Sequence, residues 1–148
     1  MHTSVGVSIT NKERNLFYIQ QKDELHPIPE FRLQYTFFGG GIDENESEMQ
    51  ALKRELLEEL NEDAAILIFN QSKKLFENNI YDFKNQKHGY ILYEATLPTN
   101  TLISISKLPI NEGKRGCLVS RAELSNIQVM FPLRHVLNRY TFYLNPLR

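Results

Sequence analysis

Three glycines followed by a glutamate-rich stretch are the residues of this chain whose types and spacing could do chemistry. Gly40, five residues, Glu46, seven residues, then Arg54-Glu55-Leu56-Leu57-Glu58-Glu59 run in that order. Carboxylate oxygens are the ligands that hard divalent cations such as magnesium take, usually one to three of them beside waters and substrate phosphates. Glycines let a backbone turn sharply and come close to phosphates without a Cβ in the way. The acids also carry a local cost. On one helix Glu55, Glu58 and Glu59 share an arc of roughly 100°, and like charges at such spacing destabilise by about 0.2 to 0.5 kcal/mol per pair. Arg54, four residues before Glu58, offsets part of this. A bound cation turns the repulsion into attraction, so the broken local rule marks a site for metal and phosphate.

The element that must carry these acids is well signalled. Ser47 followed by Gln50 reads as a capping box, and Met49, Leu52, Leu56 and Leu60 recur at helical spacing, which predicts a helix over 47–60 with Asn61 as a left-handed stop. Upstream, alternating apolar residues predict a hairpin of strands 5–10 and 16–20 around a polar turn, then a short strand over 33–38 leading into the glycine turn. Downstream, strands are predicted over 64–70, 74–81 and 90–96, the last closed by Pro98. Ser120 and Glu123 repeat the capping-box pattern for a short helix, and Pro132 opens a last helix through about residue 144. This order predicts an α/β fold in which a mixed sheet lies between helices.

The spacing at Gly40, Glu46, Arg54, Glu55, Leu56, Glu58 and Glu59 resembles the box of the Nudix family: glycine, five residues, glutamate, seven residues, then Arg-Glu-hydrophobic-x-Glu-Glu-x-Gly-hydrophobic. Asn61 stands where that pattern has glycine, and Glu62 where it has an aliphatic residue, which weakens a packing contact. The resemblance implies a Nudix-type α/β/α sandwich with a mixed β-sheet. It implies that Glu55, Glu58 and Glu59 bind the metal, with Gly40 and Glu112 beside it, and that Glu46 and Arg54 form an ion pair orienting the box; ligation by Glu46 is the alternative. The implied cofactor is Mg2+, with Mn2+ able to replace it. The implied reaction is attack of water on a phosphorus of a diphosphate linkage while the metal neutralises charge on the oxygens. Two residues compete for the role of base. Glu55 is one; Glu112 is the other, since Ile110 to Gly113 and Cys117 to Ser120 resemble the loop and strand where some family members place a further glutamate.

Substrate residues are read more coarsely. Tyr35, Phe37, Phe38, Tyr90, Phe131 and His135 could supply a platform for a nucleobase. Gly39, Gly40 and Gly41 would approach phosphates, and Lys22 or Arg32 would contact them, because Gln20 and Gln21 occupy places where family members often carry arginines. Phe38 replaces a proline common before the glycines. The downstream proline of ADP-ribose hydrolases and the longer array of NADH and coenzyme A hydrolases are missing. The resemblance therefore points to a nucleoside triphosphate, ordinary or oxidised, cleaved to monophosphate and pyrophosphate. Nucleotide sugars or dinucleoside polyphosphates are the alternative substrates, and a nucleotide-binding sensor without turnover is the rival class.

The remaining composition narrows the setting. At 148 residues, 41% hydrophobic and 24% charged, the chain fits one domain with an adequate core. A net charge of −1 and a pI near 6.4 disfavour polymeric nucleic acid as a partner. Cys117 is the one cysteine, which excludes an internal disulfide and fits a reducing compartment. No apolar run approaches 18 residues and no basic leader precedes one, so a cytoplasmic protein without membrane association is expected, as monomer or homodimer. The four histidines lack metal-ligand spacing, and no serine elbow or P-loop sequence occurs.

Overall fold

The computed structural model describes residues 2–82 and 84–144, with Phe131 described by its backbone alone. Alternating burial explains the sheet. In β1 (Thr3–Asn11) Val5, Val7 and Ile9 face one side, and in β2 (Leu16–Gln21) Phe17 and Ile19 face the other. The two strands form the expected antiparallel hairpin, with Ile9 opposite Tyr18.

The expected strand over 33–38 is split in two. Leu33 takes a left-handed φ of 63°, after which β3 (Tyr35–Thr36) pairs with β2 and β4 (Phe38–Gly41) crosses to pair with β1. The glycines are thus strand rather than turn. Gly39, at φ 141°, lies so close to β1 that a Cβ would meet the Val5 carbonyl oxygen. The turn comes afterwards, over residues 43–46, and leads into α1 (Glu48–Glu59). There the capping box of Ser47 and Gln50 forms as read, and Ala51, Leu52 and Leu56 bury the inner face.

Asn61 is not a left-handed stop. Its φ and ψ are −64° and 157°, and its Oδ1 accepts the Ala64 N–H at 2.9 Å, so it caps a second helix, α2 (Glu62–Asn70). The strand predicted over 64–70 is therefore helical. A short apolar run fits either period, and here a cap, two acids in the first turn and the burial of Ala64, Ala65 and Ile68 decide it. Glu62 is exposed in that first turn, where its charge favours the helix start.

The strands β5 (Ser72–Tyr81) and β6 (Lys87–Leu97) follow as an antiparallel pair, and β6 runs parallel to β1 from Thr3 opposite Gly89 to Asn11 opposite Leu97. After Pro98 comes α3 (Thr99–Ser106), a helix with no signal in the sequence beyond its two buried residues, Leu102 and Ile105. β7 (Arg115–Ser120) pairs with β2, α4 (Arg121–Asn126) carries its capping box, and α5 (Arg134–Leu144) begins after a 3-10 turn that contains Pro132.

The result is a seven-stranded mixed sheet of main order β3-β2-β1-β6-β5, with β4 on β1 and β7 on β2. One core lies between the sheet and α1, α2 and α3; the other lies between the sheet and α4 and α5. This is the expected α/β/α sandwich with a mixed sheet. No described helix is long and apolar enough to cross a membrane.

Candidate active site

The acid helix and the glycine strand meet because β4 lies against α1. Glu59, at the end of α1, is only 1% exposed, and its Oε1 accepts the Gly39 N–H at 2.8 Å. Burial pushes its carboxyl up to about 8, against the pull of the Gly39 N–H and Lys22 and with the push of Glu55 and Glu112. The carboxyl of Glu55 rests on Gly40, where a Cβ would stand 2.5 Å from it. Burial raises Glu55 as well, opposed by Arg54 and reinforced by Glu58 and Glu112. The like charges of Glu55 and Glu112 thus add to the effect of burial on Glu59.

Arg54 is the hub that holds this face. Its Nε and Nη2 take both oxygens of Glu46 at 2.7 and 2.9 Å, and Nη2 also donates to the Gly41 carbonyl at 2.9 Å. Nη1 reaches Glu55 at 2.9 Å and Glu58 at 3.3 Å. The guanidinium holds the Glu46 carboxyl down at about 2, and the Asp43 N–H assists. The pair joins β4, the turn after it and α1 into one unit.

Glu112 comes from the far side of the chain, and its loop is tied to the helix end. The Asn111 N–H donates to the Glu59 carbonyl at 2.7 Å, and Asn111 Nδ2 to the Leu60 carbonyl at 3.1 Å. The Gln20 amide donates to the Glu112 carbonyl at 3.0 Å. These bonds bring the loop beside the acids of α1.

Would these residues suit a divalent cation? The donors at Gly39 and Gly40 are the carboxylates of Glu59 and Glu55, the type that magnesium takes, and the missing Cβ at Gly40 leaves the Glu55 carboxyl its room. Glu59 is buried with no cation in contact among the described residues, which is the state a divalent ion would relieve. Among the described residues no three His, Cys, Asp or Glu side chains form a ready-made cage. Arg54 is bonded to Glu55 and Glu58, so the donor set is of the right kind but is held by an internal cation. The residues fit an ion that brings waters and phosphate oxygens with it.

Beside the glycines opens a cleft of about 690 Å³. Lys22, Phe37, Gly39, Gly40 and Tyr90 line it, so five of the substrate residues expected from the sequence come together. Tyr90 is nearly buried, its hydroxyl lying over Gly6, and contributes only part of a wall. Others lie elsewhere. Phe38 is fully buried beneath Tyr18 in the α1-side core and cannot touch a ligand. Arg32 is exposed and donates from Nε to the His26 carbonyl, away from the cleft. His135 borders a second, smaller cleft, and Gly41 lies under the His2 ring. The Phe131 side chain lies outside the described residues.

Sequence reasoning missed the wall made by His2, Lys84, Gln86 and His88. His2 and His88 meet edge to face at 5.6 Å because Thr3 of β1 is in register with Gly89 of β6. Only that long-range parallel pairing could have revealed it. Ile28, Phe31, Ile80, Met130, Pro132 and Leu133 make the apolar remainder.

A sequence profile of the NUDIX domain matches residues 1–140. No curated protein sequence matches the chain. Among solved structures, the MutT protein of Methanosarcina mazei Go1 is similar with a TM-score of 0.69 at 14% identity, covering 97% of this chain and 95% of that one. An Ap4A hydrolase of C. elegans, solved as a binary complex, has a TM-score of 0.62 at 16% identity, covering 97% and 99%. The NUDIX domain of Shewanella oneidensis NrtR, complexed with ADP ribose, has a TM-score of 0.65 at 16% identity, covering 97% and 88%. At such identity the structural likeness speaks for the fold alone. The matched profile extends over nearly the whole chain, and the chain belongs to the Nudix family.

Proposed function

We propose that this chain is a magnesium-dependent Nudix hydrolase that splits a diphosphate linkage, with a nucleoside triphosphate, ordinary or oxidised, as the substrate and monophosphate and pyrophosphate as products. One observation carries the reading: Glu59 and Glu55 of α1 meet Gly39 and Gly40, which line a largely apolar cleft that also carries Lys22. Phosphates belong at the glycine end, and the apolar part suits a base. Glu55, Glu58 and Glu59 would hold the metal. When bound, the ion supplies positive charge to the phosphate oxygens as negative charge develops there. Arg54 and Glu46 keep the helix and β4 aligned for that purpose.

The base in this reading is Glu112. Glu55 is engaged by Arg54 and packed on Gly40, whereas the Glu112 carboxylate is exposed and accepts no hydrogen bond among the described residues. Glu112 thus has a free oxygen for a proton from water. Glu112→Gln should lower kcat more than it alters KM, and an unchanged rate would return the role to Glu55.

The test of the function is release of phosphate and pyrophosphate, with and without magnesium, across nucleoside triphosphates, oxidised guanine triphosphate, nucleotide sugars and dinucleoside polyphosphates, with Glu59→Gln as blank. Magnesium-dependent pyrophosphate release from triphosphates is the expected result. Cleavage confined to one of the other classes would move the substrate. Binding without turnover on any of them would favour a sensor.

A further inference from the structure

The two glutamines that end β2 both turn inward, and they do not do the same thing. Gln21 is satisfied at each end of its amide: Nε2 donates to the Leu33 carbonyl at 3.0 Å, and Oε1 accepts from Arg115 Nε at 3.0 Å. Gln20 is fully buried, and only half of its amide is used. Its Nε2 donates to the Glu112 carbonyl at 3.0 Å, while its Oε1 is buried with no partner among the described residues. A buried amide left half unsatisfied is a poor local choice, and an apolar side chain of the same shape would avoid the loss. Such choices concentrate where a geometry is held for function.

The backbone opposite is shaped to receive that amide. Gly113, next to Glu112, takes a φ of 86°, and a Cβ there would come within 3.2 Å of Gln20 Cγ and Cδ and 2.9 Å of the Gln21 carbonyl oxygen. The Lys114 N–H donates to that same Gln21 carbonyl at 2.9 Å. On its other flank the loop is bonded through Asn111 to the end of α1. Glu112 is therefore held between β2 and the acid helix, and the Gln20 amide is the one side chain of β2 bonded to its own peptide group.

We infer that Gln20 is a positioning residue, whose buried amide sets the reach of the Glu112 carboxylate toward the acids of α1. The inference rests on Glu112 acting in turnover as proposed above. Loosening its peptide lets the carboxylate wander from the reacting water, and small misplacements of a catalytic group reduce the chemical step much more than binding. Gln20 lines no part of the cleft, so KM should hardly respond.

The experiment is a double-mutant cycle with Gln20→Met, which keeps length and burial but removes the N–H, and Glu112→Gln. Gln20→Met alone should lower kcat about tenfold with KM within about twofold of the parent. On the Glu112→Gln background it should cost nothing further, because there is no longer a base to place. Gln20→Glu, which keeps the shape but loses the donor, should not restore kcat. Should Gln20→Met fail to fold, Gly113→Ala strains the same anchor from an exposed loop and should give the same kcat-selective loss. An unchanged kcat in Gln20→Met, or equal losses on both backgrounds, overturns the inference while leaving Glu112 in its role. An unchanged kcat in Glu112→Gln removes the base assignment and this inference together.

Discussion

Two glutamates are buried on opposite faces of the sheet, and they are treated in opposite ways. Glu94 on β6, 5% exposed, receives Arg14 at 2.7 and 3.1 Å and the Tyr140 hydroxyl at 2.7 Å. Arg14 sits at a left-handed φ of 53°, and its carbonyl accepts two bonds from Arg121. On that face a closed polar network fastens the first hairpin to α5. Glu59 on α1 is 1% exposed and receives one backbone N–H and no cation in contact among the described residues. The same side chain is a fastening where its charge is answered and a site where it is left open.

The comparison breaks if the two glutamates respond alike. The largest effect belongs to Glu59→Gln, which should lower turnover about 10²- to 10³-fold while leaving the unfolding midpoint unchanged or higher, since it removes a buried repulsion. Kinetics beside thermal unfolding would check both halves. The mirror image is Glu94→Leu, expected to cost about 2 to 3 kcal/mol in urea unfolding by stranding Arg14 and Tyr140, with KM and kcat of the remaining folded enzyme near the parent values. Loss of turnover there, at full stability, would end the distinction.

A smaller effect is expected at Arg54. Arg54→Lys keeps the charge but loses the two-pronged grip on Glu46 and the bond to the Gly41 carbonyl, so kcat should fall about tenfold with little change in stability. The smallest effect is acid sensitivity at Glu46. Arg54 depresses its carboxyl to about 2, so the pair stabilises the fold fully above the ordinary value near 4.5 and loses that contribution as pH falls toward about 2. Acid unfolding of the parent and Glu46→Gln should differ above pH 4.5 and converge near pH 2; a gap that persists to pH 2 would remove the ion pair from the account.

How much of this is legible in the chain differs from part to part. The acid helix is local: a capping box, a repeated apolar spacing and an arginine eight residues after a glutamate lie within one segment. Its partner strand was misread as a turn, because three successive glycines carry no period and only the close approach of β1 makes them a strand. Residues 64–70 were read as strand for want of a period, although Asn61, Glu62 and Asp63 hold a helix start. The cleft was harder still. His2, Lys22, Phe31, Lys84 and Pro132 come from five segments that only the parallel pairing of β1 with β6 and the return of the chain after α4 bring together. Gln20 reads as one polar residue in a strand until the loop at Gly113 is seen lying on it.

The central claim is that the buried Glu59 carboxyl, with no cation in contact among the described residues, belongs to a magnesium-dependent hydrolytic site. Its most direct test is pyrophosphate release from a nucleoside triphosphate by the parent and Glu59→Gln, side by side over a magnesium titration. The account predicts release that rises with magnesium in the parent and is absent from a variant that is folded at every concentration. Release that ignores magnesium, or that persists undiminished in Glu59→Gln, would contradict it.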